Sequence, residues 1–327
     1  MLCLLVQPIH PEGIKHLEGV GLTVRLASEP TMDCVAREVG EASAAITRNA
    51  GFDRQAMGAA KLLKVLGNHG IGLDPVDTVF AREIGLPIVY TPHANVQSVA
   101  EQVIAQMLTL AKRVREADHA VRDGRFDYRY TGDFVEIYGK TMLIVGFGAI
   151  GRRTAELAAA GFAMRVIVHS PSADRHDVER AGFIFESSLD DALKQADVVS
   201  LHQRLTPATR KLFDAARMDA MKPGAMLLNT ARGGIVDDDA LIRAVSGGHL
   251  RGAAMDVFDT EPLGADHPLA QTPGILLSPH IGGATEEALV RTALATATQV
   301  VDVLEGRKPA HLVDESNWEQ RRHAVGR

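Results

Sequence analysis

The sequence predicts an α/β protein of two domains, each built on a parallel β-sheet. Short apolar runs alternate with amphipathic stretches along most of the 327 residues, which is the pattern of strands joined by crossover helices. One long amphipathic stretch, over residues 99–114, separates two such series. The chain is also long enough for two domains of ordinary size.

The first third of the chain contains the first series of strands, with helical patterns between them. We expect one helix to begin at Asp74-Pro75, because Asp74 can cap the free N–H groups of a first turn and proline is favoured there. The predicted strands are Leu2–Val6, Thr23–Leu26, Ala44–Thr47, Leu62–Leu66 and Pro87–Val89.

The long amphipathic stretch is predicted to be one helix. Its apolar residues recur at intervals of three and four from Val99 to Val114, which is the period of one helical face. A polar and aromatic segment, Phe126–Tyr138, follows as an extended arm. Such a helix and arm can bridge domains, pack on another subunit or form an ordinary surface excursion. The pattern places a domain boundary near Ser98.

The second series begins at Thr141, and a final helical stretch runs from Glu286 to Leu304. The repeated alternation of strands and helices again predicts a parallel sheet. The predicted strands are Met142–Val145, Arg165–His169, Phe183–Phe185, Val198–Leu201, Ala225–Leu228, Ala253–Val257 and Ile275–Leu277.

Composition excludes several classes of protein. The formal charge is −6, from 35 basic and 41 acidic residues, whereas nucleic-acid binders usually carry a basic face. The two cysteines exclude a disulfide scaffold and a CxxC motif and fit a reducing compartment. No apolar run has the length of a membrane span, and Met1–Val6 is interpreted as a strand, not a signal peptide. We expect a cytoplasmic protein with no nucleic-acid or membrane partner.

The most informative motif is the glycine turn from Gly146 to Gly151. It follows a predicted strand and opens a helix over Arg152–Ala160. Gly146 permits the tight turn, Gly148 lets a pyrophosphate approach the backbone, and Gly151 lets helix and strand pack closely. The N–H groups of the first helical turn, at Ala149 and Ile150, face the anion. This context favours a Rossmann-like dinucleotide site over a purely structural turn.

The next strand ends in a serine where NAD-specific sites usually place an acid. Ser170, Ser172 and Arg175 can hydrogen-bond a ribose 2′-phosphate, whereas Asp174 beside Arg175 opposes one. Two interpretations stay open. The site prefers NADP, which we slightly favour, or Arg175 is a solvated helix residue and the site takes NAD.

Charged residues follow three later strands in tight, glycine-rich contexts. They are Arg232 in an Arg-Gly-Gly segment, Asp256 and Glu261 before Pro262, and His280 in Ser-Pro-His-Ile-Gly-Gly. Ligands of open α/β sheets bind beyond the carboxyl ends of strands, and an arginine fork matches a carboxylate. The sequence has no HExxH or histidine–cysteine cluster, so we expect no metal site.

Taken together, these motifs resemble those of the D-isomer-specific 2-hydroxyacid dehydrogenases, of the phosphoglycerate dehydrogenase and hydroxypyruvate reductase kind. The resemblance covers roughly Ala42–Trp318. The motifs that carry it are Asn68–Asp74, Thr91–Asn95 with Val99–Glu101, Gly146–Gly151, Asn229–Gly234, Asp256–Pro262 and Pro279–Gly283.

The resemblance implies three catalytic side chains. His280 would be the general acid that protonates a keto oxygen as hydride arrives, and the base in the reverse direction. Glu261 would orient the His280 ring and favour its protonated form. Arg232 would bind the substrate carboxylate and polarise the carbonyl, since the developing alkoxide needs a cation already in place.

The resemblance also implies binding residues. Backbone N–H groups of His69, Gly70 and Ile71 would bind the carboxylate, and Asn95 would line the cleft near the nicotinamide. Asp256 would hold the nicotinamide carboxamide. The remaining expected cofactor contacts are Ser98, Thr206, Thr230, Ala231, Gly282 and Gly283.

The implied architecture is two Rossmann-like, doubly wound parallel-sheet domains. A discontinuous, flavodoxin-like substrate-binding domain would comprise residues 1–97 and 287–327, and a dinucleotide-binding domain residues 98–286. The active site would lie in the cleft between them, whose closure would exclude water. The resemblance also implies a homodimer formed through the cofactor domain and the helix of residues 99–114.

Two departures from the family pattern bear on specificity. Arg204 stands where the family usually has proline, near the adenosine end of the cofactor, and we expect it to help Arg175 accept a 2′-phosphate. Asn68 stands where phosphoglycerate dehydrogenases commonly carry arginine, which removes a phosphate partner. We therefore expect hydroxypyruvate or glyoxylate as the substrate.

Other activities stay open. The alternatives are 3-phosphoglycerate as the substrate and a dinucleotide-sensing, corepressor-like binding protein without turnover. Glu261 stands where formate dehydrogenases of the family carry glutamine, which favours a keto acid. We expect no appended regulatory domain after Trp318.

Overall fold

The computed structural model describes residues 1–322, and residues 323–327 of the predicted substrate-binding domain lie outside the described residues. The chain forms two compact units. Unit 1 contains residues 1–95 and the segment from Ala284 onward, and unit 2 contains Val96–Gly283. Each unit is built around its own parallel sheet, so the structure confirms the α/β class with two parallel sheets.

Unit 1 has a five-stranded sheet in the order β2-β1-β3-β4-β5, and all its pairs are parallel. The inner strands are buried on both faces, as expected when helices cover a parallel sheet. The strands are β1 Leu2–Leu5, β2 Thr23–Leu26, β3 Ala42–Thr47, β4 Val65–Asn68 and β5 Ile88–Val89; the helices are α1 Pro11–Gly19, α2 Met32–Glu38, α3 Arg54–Ala59 and α4 Thr78–Glu83.

The prediction that a helix begins at Asp74-Pro75 is wrong. These residues form a turn, and α4 begins three residues later with Asp77 as its cap, whose carboxylate accepts from the N–H of Phe80 (2.8 Å). The reason is a tertiary contact. The N–H of Phe52 donates to the Pro75 carbonyl (3.1 Å), which holds this segment outside any helix.

Unit 2 has a seven-stranded parallel sheet in the order β12-β11-β10-β9-β6-β7-β8. Its strand order reverses between β6 and β9, and ligands of such sheets bind beyond the carboxyl ends of the strands at that point. The strands are β6 Thr141–Val145, β7 Arg165–His169, β8 Ile184–Phe185, β9 Val198–Leu201, β10 Met226–Asn229, β11 Gly252–Met255 and β12 Ile275–Leu277. The helices are α5 Val96–Lys112, α6 Val114–Arg122, α7 Tyr128–Thr131, α8 Ala149–Phe162, α9 Arg175–Arg180, α10 Leu189–Leu193, α11 Ala215–Ala220, α12 Asp238–Ser246 and α13 Pro268–Gln271.

The long helix of residues 99–114 is divided in the structure. α5 ends at Lys112, Arg113 has a left-handed backbone (φ 50°), and α6 continues from Val114. The carbonyl of Ala111 accepts a hydrogen bond from the N–H of Val135 (3.0 Å). The arm of residues 126–138 thus uses a carbonyl acceptor that a continuous helix would need. The arm is not extended throughout, because it contains α7.

A last helix, α14 (Glu286–Leu304), covers the sheet of unit 1. It packs closely on α1, because a Cβ added at Gly13 would lie only 2.8 Å from the Cβ of Ala293. Leu312 and Trp318 then join the same apolar core. Among the described residues, no helix has the length and apolar character needed to cross a membrane.

Candidate active site

The glycine turn lies at the switch point of the unit 2 sheet, between β6 and α8. Gly146 has φ 100°, and a Cβ there would lie 2.9 Å from the backbone of His202. A Cβ at Gly151 would lie 2.2 Å from the carbonyl oxygen of Gly146, whereas one at Gly148 meets nothing within 4 Å. Close packing therefore requires glycine at positions 146 and 151, whereas Gly148 faces open space.

The start of α8 has the features that a pyrophosphate requires. Gly148 is the N-cap and provides no side-chain cap, so the first N–H groups of a 14-residue helix, including those of Ala149 and Ile150, have no partner in the helix. A helix N-terminus of this kind favours an anion. The turn as folded fits the diphosphate of a dinucleotide.

The end of β7 carries the residues expected at the adenosine end of the cofactor. Ser170 is buried and Ser172 is exposed. Arg175 is exposed and donates from Nε to Glu179 Oε1 (2.7 Å), which raises the pKa of the guanidinium. Asp174 accepts from the N–H of His176 and thereby caps α9. Arg175 is thus a solvated helix residue with an ion-pair partner.

A second cation lies on the loop after β9. Arg204 is exposed, and its side chain has no partner among the described residues. Its backbone is held in a turn, because the hydroxyl of Thr209 donates to the Arg204 carbonyl (2.7 Å) and also contacts the hydroxyl of Thr206 (3.1 Å). Exposed ion pairs contribute little energy, so a phosphate can displace Glu179 from Arg175. Arg204 can bind a phosphate without first losing an ion pair.

The loop after β10 is organised by Asn229, which is fully buried. Its side-chain amide donates to the carbonyl of Arg232 (2.9 Å), and its Oδ1 accepts from the N–H of Ala231 (3.0 Å). These two bonds hold the backbone that follows Thr230, whose hydroxyl is buried without a hydrogen-bond partner. Arg232 itself donates from Nη1 to the Ala231 carbonyl (2.6 Å).

The structure brings His280 and Glu261 together. Nδ1 of His280 lies 2.8 Å from Oε2 of Glu261, and the other carboxylate oxygen accepts from the N–H of Phe258 (3.0 Å). The side chains are 37% and 33% exposed. Because Glu261 is held at both oxygens, it fixes the ring of His280 through Nδ1 and leaves Nε2 to face a ligand.

The Arg232 loop and the Glu261 loop pack directly on each other. A Cβ at Gly233 would lie 2.0 Å from the backbone of Phe258, and one at Gly234 would lie 2.7 Å from Asp259. An ion pair from Arg210 to Asp259 (3.1 Å) adds to this contact. The structure therefore places Arg232, Glu261 and His280 on neighbouring loops at the carboxyl edge of one sheet.

Asp256 makes contacts that the sequence did not predict. It is 1% exposed, and its Oδ1 accepts from the hydroxyl of Ser278 (2.5 Å) and the N–H of Ile281 (3.0 Å). Its Oδ2 accepts from the N–H of Gly282 (2.8 Å). The carboxylate expected on the nicotinamide carboxamide thus already holds the segment around His280. Gly282 and Gly283 belong to that same segment.

Two of the backbone N–H groups expected to bind a carboxylate in unit 1 already have partners within the fold. The N–H of His69 donates to the Thr47 carbonyl (2.8 Å), and that of Gly70 donates to the Asn68 carbonyl (2.9 Å). Both groups are therefore used within the fold. The N–H groups of Ile71 and Gly72, next along the loop, have no partner among the described residues.

Buried polar atoms without partners gather around these same loops of unit 1. Nε2 of His69 and Oδ1 of Asn95 are two of them. The side-chain amide of Asn68 donates to the carbonyls of Gly70 (3.1 Å) and Gly72 (3.0 Å). Asn68 thus turns the loop carbonyls inward, which leaves the N–H of Ile71 available for an anion.

Sequence reasoning missed several polar residues of this site. Asn229 lies inside a motif that the sequence identified, but its part in holding Arg232 depends on the folded loop. Ser278 precedes Pro279-His280, and Gln102 and Gln106 of α5 donate to its hydroxyl (3.3 and 3.2 Å). The only signal for the two glutamines is their spacing of four, which puts them on one helical face. No cluster of three metal-ligating side chains occurs among residues 1–322.

Acid is expected to destabilise the protein through two histidines. Burial lowers the pKa of His202 to about 3; burial and the charge of Arg48 lower the pKa of His69 to about 4. The unfolded chain takes up these protons near pH 6.5, so stability is lost as the pH falls below that value, by about 1 kcal/mol per histidine and pH unit. Urea unfolding at pH 7 and pH 5 measures this, and H202Q should weaken the dependence. An unchanged midpoint in the wild type would contradict the prediction.

Comparisons with known proteins agree with this geometry. Residues 104–282 match the D-isomer specific 2-hydroxyacid dehydrogenase, NAD binding domain. The chain is 37% identical over 314 residues to D-3-phosphoglycerate dehydrogenase 2, chloroplastic, of Arabidopsis thaliana, over 95% of this chain and 50% of that protein. It is 38% identical over 269 residues to glyoxylate reductase of Aeropyrum pernix, over 80% of each chain.

The fold comparison leads to the same family. The crystal structure of TT0316 protein from Thermus thermophilus superposes with a TM-score of 0.88 at 36% identity, over 96% of this chain and 100% of that one. The chain spans 50–60% of the length of several phosphoglycerate dehydrogenases that it matches. On sequence and on structure, the chain belongs to the D-isomer specific 2-hydroxyacid dehydrogenase family and contains its NAD-binding domain.

Proposed function

We propose that this protein is an NAD(P)-dependent oxidoreductase that interconverts a small 2-keto acid and the corresponding D-2-hydroxy acid, with hydroxypyruvate or glyoxylate as the keto acid. The observation that carries the proposal is the His280–Glu261 pair (2.8 Å) at the same sheet edge as the glycine turn. A proton donor held beside a dinucleotide site is what reduction of a carbonyl requires.

The side chains divide the work as follows. A bound nicotinamide supplies or accepts the hydride. His280 holds at Nε2 the proton that the keto oxygen receives, and Glu261 keeps the ring in the tautomer and orientation for that transfer. Arg232 provides a cation for the substrate carboxylate. In unit 1, the N–H group of Ile71, which the resemblance assigns to the substrate carboxylate, has no partner among the described residues.

The substrate side chain is proposed to be small and uncharged. Asn68 is neutral. Its amide nitrogen donates to two loop carbonyls, and its Oδ1 is buried without a partner among the described residues. A phosphorylated substrate usually meets a cationic fork, and position 68 supplies none. The glyoxylate reductase of Aeropyrum pernix, which matches over 80% of both chains, is consistent with this choice.

NADP is the slightly favoured cofactor. No carboxylate follows β7 at Ser170 to repel a 2′-phosphate, and exposed Arg204 lies on the loop after β9, which is separated from β7 by β6. Arg175 is paired with Glu179, so Arg204 carries the larger share of this argument. If R204P left the KM values of both NADPH and NADH unchanged, the contribution of Arg204 would be refuted.

A homodimer is part of the proposal. In unit 2, the segment after α5 exposes several large apolar and aromatic side chains, and burial between two subunits would remove them from water. Sedimentation equilibrium that gives the mass of a single chain would contradict this assignment. The exposed side chains are Val114, Val121, Phe126, Tyr130, Phe134 and Tyr138.

The test of the function is a set of initial rates of nicotinamide oxidation. Hydroxypyruvate, glyoxylate and 3-phosphohydroxypyruvate are each supplied with NADPH and with NADH. We expect turnover with the first two acids and a higher kcat/KM with NADPH. Turnover confined to the phosphorylated acid would transfer the assignment to 3-phosphoglycerate chemistry. Tight dinucleotide binding without turnover of any 2-keto acid would favour a dinucleotide-sensing binding protein.

A further inference from the structure

The hydroxyl of the half-buried Ser278 connects three elements of unit 2 just before His280. The side chain of Ser278 donates to Asp256 Oδ1 (2.5 Å) and accepts from Nε2 of Gln102 (3.3 Å) and of Gln106 (3.2 Å). One donor and two acceptor sites are all that a serine hydroxyl offers. The hydroxyl is therefore saturated, and its direction is determined by β11 and α5 together.

His280 needs such support because its backbone is strained. Its φ is 53°, in the left-handed region, where a residue with a Cβ is disfavoured by about 1–2 kcal/mol. Its N–H donates to the Ser278 carbonyl (3.0 Å), and Asp256 receives the next two N–H groups, from Ile281 and Gly282. The strained residue is thus held from both sides, and Ser278 anchors the first side.

Helix α5 holds the same segment at its other end. The hydroxyl of Ser98 donates to the Gly282 carbonyl (2.5 Å). Gln106 is 2% exposed, so its bond to Ser278 lies where water does not compete. A buried polar group costs stability unless it is bonded, and Ser278 provides the acceptor for Nε2 of Gln106, whereas the Oε1 of Gln106 is buried without a partner among the described residues.

We propose that Ser278, held by Gln102 and Gln106, is a positioning residue for His280. It acts through the backbone conformation that directs the imidazole towards Glu261 and the substrate, and it touches no reacting atom. The inference rests on the proposed function, in which His280 carries the proton. It adds that the hydrogen bonds between α5 and Ser278 determine the orientation in which His280 offers that proton to the substrate.

The experiment compares S278A with S278T, which keeps the hydroxyl, and with Q106L, which keeps the size of the side chain but removes the donor. S188A is the matched control, because Ser188 only caps α10, far along the chain from this segment. Loss of such a cap should lower the Tm by about 2–4 °C. We expect S278A to lower kcat about 10- to 100-fold, Q106L less, and S278T and S188A hardly at all.

Two readouts separate positioning from general stability. The first is kcat of S278A in an H280Q background, where a residue that acts through His280 should cause no further loss. The second is the NMR signal of the His280 Nδ1–H, which the bond to Glu261 should protect in the wild type, S278T and S188A and which S278A should broaden or remove.

The outcomes are distinct. Equal losses of kcat from S278A with and without His280, or a kcat of S278A as high as that of S188A, would overturn the proposal. If the wild type turns over no 2-keto acid, the proposed function fails, and the NMR signal then decides on Ser278 alone. A signal that persists unchanged in S278A would refute the positioning role, and its selective loss would support it.

Discussion

Replacing His280 by glutamine is expected to lower kcat by about 10²–10⁴-fold, the usual contribution of a positioned general acid. Glutamine fills a similar space and can still contact Glu261, but it cannot supply the proton. Nδ1 of His280 is already bonded to Glu261 at 2.8 Å, so only Nε2 can serve the substrate. Steady-state kinetics with the keto acid that the wild type reduces measures the loss.

The controls for H280Q address binding and charge. Dinucleotide affinity, followed by quenching of protein fluorescence, should stay within a factor of two or so, because His280 lies on a different loop from the glycine turn. E261Q should lower kcat by less, since the ring keeps its proton site but loses its orienting carboxylate. H16Q, in α1, should leave kcat unchanged. A variant H280Q with nearly full kcat would exclude His280 as the acid.

The second large effect is expected from alanine substitutions at two glycines of the same turn, which should impair the protein in different ways. G151A places a Cβ 2.2 Å from the Gly146 carbonyl oxygen, so the turn must move, and both stability and cofactor binding should fall. G148A meets nothing within 4 Å and has an ordinary φ of −75°. Its methyl group should disturb only the bound pyrophosphate. We expect the binding free energy of the dinucleotide to weaken by about 1–3 kcal/mol, which is roughly 5- to 150-fold in affinity.

Thermal unfolding and dinucleotide titration, both on the purified protein, distinguish the two variants. G148A should unfold at the wild-type Tm without cofactor and lose most of the stabilisation that saturating cofactor gives the wild type. G151A should unfold at least about 4 °C earlier in the absence of cofactor. Equal Tm losses in the two variants would show that Gly148 is needed for packing. An unaltered dinucleotide affinity in G148A would contradict the assignment of this turn as the pyrophosphate site.

Much of the fold follows from local sequence patterns. The runs Thr23–Leu26, Arg165–His169, Val198–Leu201 and Ile275–Leu277 are strands with the predicted ends. An apolar run between turn residues predicts a buried strand such as Val198–Leu201, whereas Thr23–Leu26 is a largely exposed edge strand. The strand predicted at Leu62–Leu66 lies at Val65–Asn68. Two other boundaries failed because of distant partners. Pro75 is held by Phe52, and the carbonyl of Ala111 is taken by Val135.

The candidate site divides in the same way. The glycine turn could be predicted because the requirements of a tight turn and of close packing act within a few residues. The availability of backbone N–H groups could not, because it depends on which carbonyl lies opposite. The Thr47 carbonyl removes the N–H of His69 from a ligand's reach, and the loop geometry leaves that of Ile71.

The sequence by itself predicted the α/β class and the phosphate-binding turn from short-range patterns. The roles of His280, Glu261 and Arg232 came from the resemblance to the family, because none of these residues has a single chemical interpretation on its own. Only the tertiary structure decided that Asp256 holds the His280 segment and that Gln106, 172 positions from Ser278, supports it. The physical reason is burial. A polar side chain removed from water must find a partner wherever the fold supplies one, and that partner need not be a neighbour in sequence.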